Sequence, residues 1–158
     1  LQEKIMQIDR IDRQMLRHLQ QDGRISNQEL ADRVGLSPSP CLRRLRALEE
    51  AGIIAGYHTR LDAKQLGYTL MALIHISMDT HTPERFKHFD QEIAAMPEVL
   101  ECLLITGQEA DYQLKVIVPD MDAFQELLLN RITRIPGVTG VHSSFVLRRV
   151  VDRTDIPV

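Results

Sequence analysis

Apolar positions in the first sixty residues recur at helical spacing in three short runs. Ile8, Ile11, Met15, Leu16 and Leu19 form the first, with Asp9 placed as its N-cap and Gly23 as its stop. Ser26-Asn27-Gln28-Glu29 has the form of a capping box and opens a helix with Leu30, Ala31 and Val34 inward and Gly35 as its left-handed end. After only Leu36, Ser37 is placed to cap a third helix whose first position is Pro38, where a missing N–H costs nothing. Leu42, Leu45 and Leu48 give this helix one apolar stripe, and Gly52 ends it. The tight Gly35-Leu36-Ser37 connection predicts a crossed pair, a helix-turn-helix.

An extended connector over 53–61 leads to a different pattern. Tyr68, Leu70, Ala72, Ile74, Ile76 and Met78 alternate with Thr69, Met71, Leu73, His75 and Ser77, the period of a strand. Thr82-Pro83 opens a helix with Phe86, Phe89, Ile93 and Met96 inward; strands follow over 99–106 and 112–118. Asp120 caps a helix carrying Phe124, Leu127, Leu128, Ile132 and Ile135, and a last strand covers 138–151. Met96-Pro97-Glu98-Val99 and Ile135-Pro136-Gly137-Val138 mark the same helix exit in two β-α-β units. Two such units predict a ferredoxin-like βαββαβ sandwich, so the fold class is α+β, with a helix-turn-helix domain and linker at 1–60 and the sandwich at 61–158. The open sheet face would include Met71, Leu73, Ile117 and either Ile105 or Leu104, apolar enough to require a cover. A homodimer through the sheets is the expected cover, and it would give two reading heads the two-fold symmetry of a palindromic DNA site.

The net charge of −3 argues at first against nucleic acid, but it is an average of unlike halves. Residues 1–60 carry ten Lys/Arg against eight Asp/Glu, and residues 61–158 carry nine against fourteen. No apolar run approaches the ~20 residues that cross a bilayer, and the first residues lack a signal-peptide core, so a cytoplasmic protein is expected. Cys41 and Cys102 are too few for a disulfide framework or zinc site and are expected to be buried. No metal or cofactor is expected.

On the third helix, Ser39, Arg43, Arg46, Ala47 and Glu50 project away from the leucine stripe, with Pro40 and Arg44 on the flanks. Small polar groups and Arg at a helix N-terminal half suit a major groove, where Arg can grip guanine O6 and N7. The plainer alternative is a solvated basic face. In the second half, Thr106-Gly107-Gln108-Glu109-Ala110-Asp111-Tyr112 joins two strands. Gly107 allows a close backbone approach and Asp111 supplies an anion, a combination suited to a free amino acid; the alternative is an ordinary hairpin turn. No nucleophile elbow, phosphate loop or metal motif occurs, and the six His are dispersed, so no enzyme is expected. His75 is expected at an interface.

Asp9-Arg10-Ile11-Asp12, Asp22-Gly23-Arg24-Ile25-Ser26-Asn27, Leu36-Ser37-Pro38-Ser39-Pro40-Cys41-Leu42 and Gly52-Ile53-Ile54 resemble the DNA-binding half of the Lrp/AsnC regulators. Pro97-Glu98-Val99, Thr106-Gly107, Asp111-Tyr112, Pro119-Asp120-Met121 and Pro136-Gly137-Val138 resemble that family's effector-binding and oligomerisation domain. The resemblance implies a transcription regulator that dimerises, often forms octamers, and responds to a small effector, commonly an amino acid, through its state of assembly. Double-stranded DNA would be met by Ser37, Ser39, Pro40, Arg43, Arg44 and Arg46. By matching positions, the effector pocket between dimers would involve Leu104, Gly107, Asp111, Met121, Ser144, Phe145 and Val146. The family's loop has two residues between Gly and Asp-Tyr, where this chain has three. Sirohaem decarboxylases share the two-domain layout and give an enzymatic alternative, for which a basic third helix would have no use.

Overall fold

The computed structural model describes residues 7–107 and 110–158. The chain's first residues and Gln108-Glu109, on which part of the reading above falls, lie outside them. The chain divides into two compact units, one running up to Arg60 and including Val151–Val158, the other Leu61–Val150. The last eight residues, expected in the second domain, thus group with the first. There, the Arg17 Nε–H donates to the Val158 carbonyl at 2.7 Å, and the Gln20 side chain exchanges two hydrogen bonds with the Ile156 backbone.

In the first unit, α1 (Arg10–Gln21), α2 (Asn27–Val34) and α3 (Pro38–Glu50) enclose Met15, Leu30, Ala31, Val34 and Cys41. The complete capping box belongs to α1: the Asp9 carboxylate accepts from the Asp12 N–H and the Asp12 carboxylate accepts from the Asp9 N–H. At α2 the Ser26 hydroxyl accepts from the Glu29 N–H, whereas Glu29 pairs with Arg33. Ser37 makes no side-chain cap bond to α3, contrary to expectation; its carbonyl receives the Cys41 N–H. Gly35, at φ 73°, ends α2, and the Leu36 N–H returns to the Ala31 carbonyl, closing the turn that swings the chain into α3.

The buried stripe of α3 differs from the leucine stripe read from the sequence. Cys41 and Leu48 are fully buried with Leu45 partly so, while Leu42 is 36% exposed. At about 100° per residue, positions 41, 45 and 48 span roughly 60° of the helix, against roughly 120° for 42, 45 and 48. Only the narrower set fits the gap left by α1 and α2. Arg44 completes the docking: its Nη1 donates to Asp9 Oδ2 and Asp12 Oδ1, each at 2.8 Å, and Asp12 is the unit's buried carboxylate at 3% exposure.

The second unit is a four-stranded antiparallel sheet of order β2-β3-β1-β4, formed by β1 (Leu70–Met78), β2 (Val99–Leu104), β3 (Tyr112–Val118) and β4 (Val138–Phe145). Ala72, Ile74, Ile76, Leu114 and Val116 are buried with Phe89 and Ile93 of α4 (Pro83–Ala94) and Phe124 of α5 (Met121–Glu126). The final helix is not continuous to Ile135. After α5 the chain makes one π turn over Leu127–Arg131 and a 3-10 turn over Ile132–Arg134. An uninterrupted α-helix would bring Arg131 under the same face as Leu127 and Leu128. The wider turn instead buries both Leu127 and Ile132 and releases Arg131 to donate to Glu98 Oε1 at 2.7 Å. On the open face Met71 lies opposite Ile117 and His75 opposite both Gln113 and His142. Leu104 is aligned with buried Tyr112, so it faces the helix side, and Leu103 beside Gln113 takes the open face.

Three stability effects are expected. Arg44→Met leaves the Asp12 carboxylate buried without its cation and should cost about 2 kcal/mol in urea unfolding. Asp9 is held below its ordinary 3.8 by the Asp12 N–H first and then by Arg44. That contribution is complete above 3.8 and is lost as pH falls through the lower folded-state value. Gly137 has φ 97°, and a Cβ there would lie 2.5 Å from Arg85 Cδ, so Gly137→Ala should lower the melting temperature.

Candidate functional site

With Arg44 turned toward α1, the opposite side of α3 is fixed toward solvent. Ser39, Leu42, Arg43, Arg46, Ala47 and Glu50 line a shallow concavity of about 380 Å³. Five of these six were read from the sequence as the outward face; Leu42 joins them from the expected core stripe. Ser37 is exposed just ahead of the helix, and Pro40 is half-buried at its edge. Arg44, expected among the DNA contacts, does not line this concavity: its guanidinium pairs with Asp9 and Asp12. The surface offers two guanidinium groups, a hydroxyl and two apolar side chains along one helix, with the Glu50 carboxylate at its C-terminal end.

In the second unit, Asp111 is held from several sides. Its N–H donates to the Ile76 carbonyl and its carbonyl accepts from the Ile105 N–H, both at 2.8 Å. Its Oδ2 accepts from the Met78 N–H at 2.7 Å, and its Oδ1 meets His81 Nε2 at 2.8 Å. His81 escaped sequence reading because dispersed histidines with no ligand spacing carry no signal; the pairing depends on β1 and β3 lying side by side.

The expected effector residues fall into two groups. Leu104, Gly107 and Asp111 surround the β2–β3 connection, where Asp111 is tied to Ile76. Val146 donates its N–H to Met71, Phe145 and Ser144 pair with Ala72 and Leu73, and Met121 follows the end of β3 that pairs with Leu70. Five strand residues separate Met71 from Ile76, roughly 17 Å at about 3.3 Å per residue. One copy does not bring the two groups around a single amino acid. Phe145 is also occupied locally, stacking edge-on against Phe124 at 5.0 Å.

A separate groove of about 370 Å³ lies between α4 and the edge strand, lined by Asp90, Ile93, Leu100, Cys102, Leu104 and Tyr112 among others. The Tyr112 hydroxyl donates to Asp90 Oδ1 at 2.9 Å, and desolvation followed by that carboxylate raises the phenol's pKa. Cys102 is on the exposed edge strand, not in the core as expected, whereas Cys41 is buried. Among the described residues no cluster of His, Cys, Asp or Glu could hold a metal, and no helix is long and apolar enough to cross a membrane.

Residues 8–55 match the winged helix-turn-helix DNA-binding family, and residues 71–156 match the Lrp/AsnC ligand binding domain. The chain belongs to the Lrp/AsnC family of transcriptional regulators. The Bkd operon transcriptional regulator of Pseudomonas aeruginosa is 42% identical over 151 residues, covering 96% of this chain and 98% of that protein. The leucine-responsive regulatory protein of Escherichia coli is 43% identical over 143 residues, covering 90% and 87%. A solved transcriptional regulator from Neisseria meningitidis, in complex with L-Met, superposes with a TM-score of 0.91 at 38% identity, covering 96% of this chain and 97% of that one. These relatives are regulators, which decides against the decarboxylase alternative. As an Lrp/AsnC protein the chain binds DNA through its first unit and carries a small-molecule-binding domain in its second.

The groove gives a direct chemical check. Desolvation and then the Asp90 carboxylate push the Cys102 thiol up to about 11. At pH 8 its iodoacetamide alkylation should be far slower than that of a free cysteine and should rise steeply toward pH 11; rapid labelling at pH 8 would contradict this placement.

Proposed function

We propose that α3 enters the DNA major groove with Arg43 and Arg46 reading base edges, Ser39 and Pro40 alongside them, and Ser37 near a phosphate at the helix N-terminus. The observation that carries this reading is the outward concavity of Ser39, Leu42, Arg43 and Arg46 on the side of α3 opposite its buried stripe. Phosphate attraction to the helix N-terminus would set the register, and Arg hydrogen bonds would select the sequence.

The effector is an α-amino acid whose ammonium binds Asp111, with Leu104 and Gly107 beside it. Met121, Ser144, Phe145 and Val146 of another copy complete the pocket, a division supported by the distance between the two groups along the sheet. The apolar open face around Met71, Leu73, Leu103 and Ile117 favours a homodimer, and four dimers would form the octamer. Ligand occupancy then changes DNA binding only as far as affinity differs between assembly states. This work belongs in the compartment that holds the DNA, the cytoplasm.

Arg43→Ala should weaken binding to a duplex selected by the wild-type protein from a random library by about 5- to 150-fold, that is about 1–3 kcal/mol, and relax selection at one base position. Unchanged affinity and unchanged selection would remove Arg43 from the interface. Asp111→Asn should abolish the rise in melting temperature given by free amino acids while leaving DNA affinity without effector intact.

A further inference from the structure

The Asp111 carboxylate has one fixed oxygen and one contested oxygen. Oδ2 is held by the Met78 backbone N–H, and the residue's own N–H and carbonyl are bound to Ile76 and Ile105, so the anion cannot turn away. Oδ1 is the oxygen left for a ligand, and His81 Nε2 already lies 2.8 Å from it. The two side chains differ in freedom: that of Asp111 is 22% exposed, whereas that of His81 is 66% exposed in the connection between β1 and α4, its ring 5.8 Å from that of Phe86.

We propose that His81 is a latch on the effector site: its ring holds the Asp111 oxygen that the effector's ammonium needs, and it holds that oxygen most strongly as an imidazolium. The inference rests on the reading of Asp111 as the ammonium site. His81 protonated and an ammonium are both cations competing for one oxygen, and neutral imidazole offers no such charge. Effector binding is therefore weakened below the histidine range and strengthened above it.

Among the described residues, the neighbouring charges belong to other contacts. Asp79, at the end of β1, pairs with Arg85 of α4 at 3.1 Å; Glu84 lies in the first turn of α4, and Asp90 accepts from Tyr112. The start of β4 contributes Gly137 and Val138, which do not ionise. Carboxylates and guanidinium groups ordinarily keep their charge between pH 5.5 and 7.5. The other histidines of this unit are His88 on α4 and the His75–His142 pair on the open face.

Histidine is the side chain whose charge ordinarily changes between pH 5 and 8, so a latch that is strongest as an imidazolium weakens apparent effector affinity at pH 5.5 relative to pH 7.5. The test is calorimetric titration of the full chain at both pH values with whichever of the twenty L-amino acids raises its melting temperature most. The wild type should bind several-fold more weakly at pH 5.5 than at pH 7.5. His81→Gln should bind with similar affinity at both, His81→Lys weakly at both, and His88→Gln like the wild type. The same drop retained in His81→Gln, or tight binding by His81→Lys at pH 7.5, would overturn the latch while leaving the effector site in place. Binding unaffected by Asp111→Asn, or no binding by any amino acid, would instead overturn the effector reading and the latch with it.

Discussion

The contact between Arg44 and the Asp9–Asp12 pair sets the rotation of α3, and the face proposed to meet DNA depends on that rotation. Asp12 is almost wholly buried, accepts the Asp9 N–H and receives one guanidinium hydrogen bond, so its charge is matched by groups from two different helices. A buried carboxylate without partners is costly, which makes alternative rotations of α3 unfavourable. Arg44 lies about 100° round the helix from Arg43, so holding one inward toward α1 commits the other outward. Cys41 and Leu48 define the same rotation by apolar burial. Two independent kinds of interaction therefore agree on which side of α3 meets solvent.

The sheet unit obeys a comparable constraint. β1 and β3 occupy the centre of the sheet, and their alternating residues supply most of the core. Asp111 is fixed because it enters β3 immediately before Tyr112, whose ring is packed among Phe86 and Phe89 and whose hydroxyl is bound by Asp90. A carboxylate is thereby placed at the margin of the central strands, next to the β2–β3 connection. Position is supplied by the sheet, and specificity is left to what approaches it.

Much of this was legible because short-range rules act alone. The Gly35 turn, the β1 and β3 alternation and the two helix exits into strands follow from local geometry. The misreadings occur where two distant parts compete for one residue. Leu42 looks like a core residue until the narrower stripe containing Cys41 is fitted against α1 and α2. Arg44 looks like a DNA contact until a carboxylate more than thirty positions away is brought to it. The π turn at Leu127–Arg131 brings Arg131 onto Glu98 Oε1, outside the helix, which helical periodicity cannot foresee. Cys102 has the composition of a core position, but its strand lies at the sheet edge, a matter of topology.

If the effector pocket is divided between copies as proposed, the roughly 17 Å between its two groups of residues has a physiological consequence. A pocket whose walls belong to different copies exists only to the extent that the copies have met, so its occupancy rises with the abundance of the regulator as well as with that of the nutrient. The threshold at which target genes respond is then not a fixed constant of the protein. Cells making more of it would register the same amino-acid pool as richer.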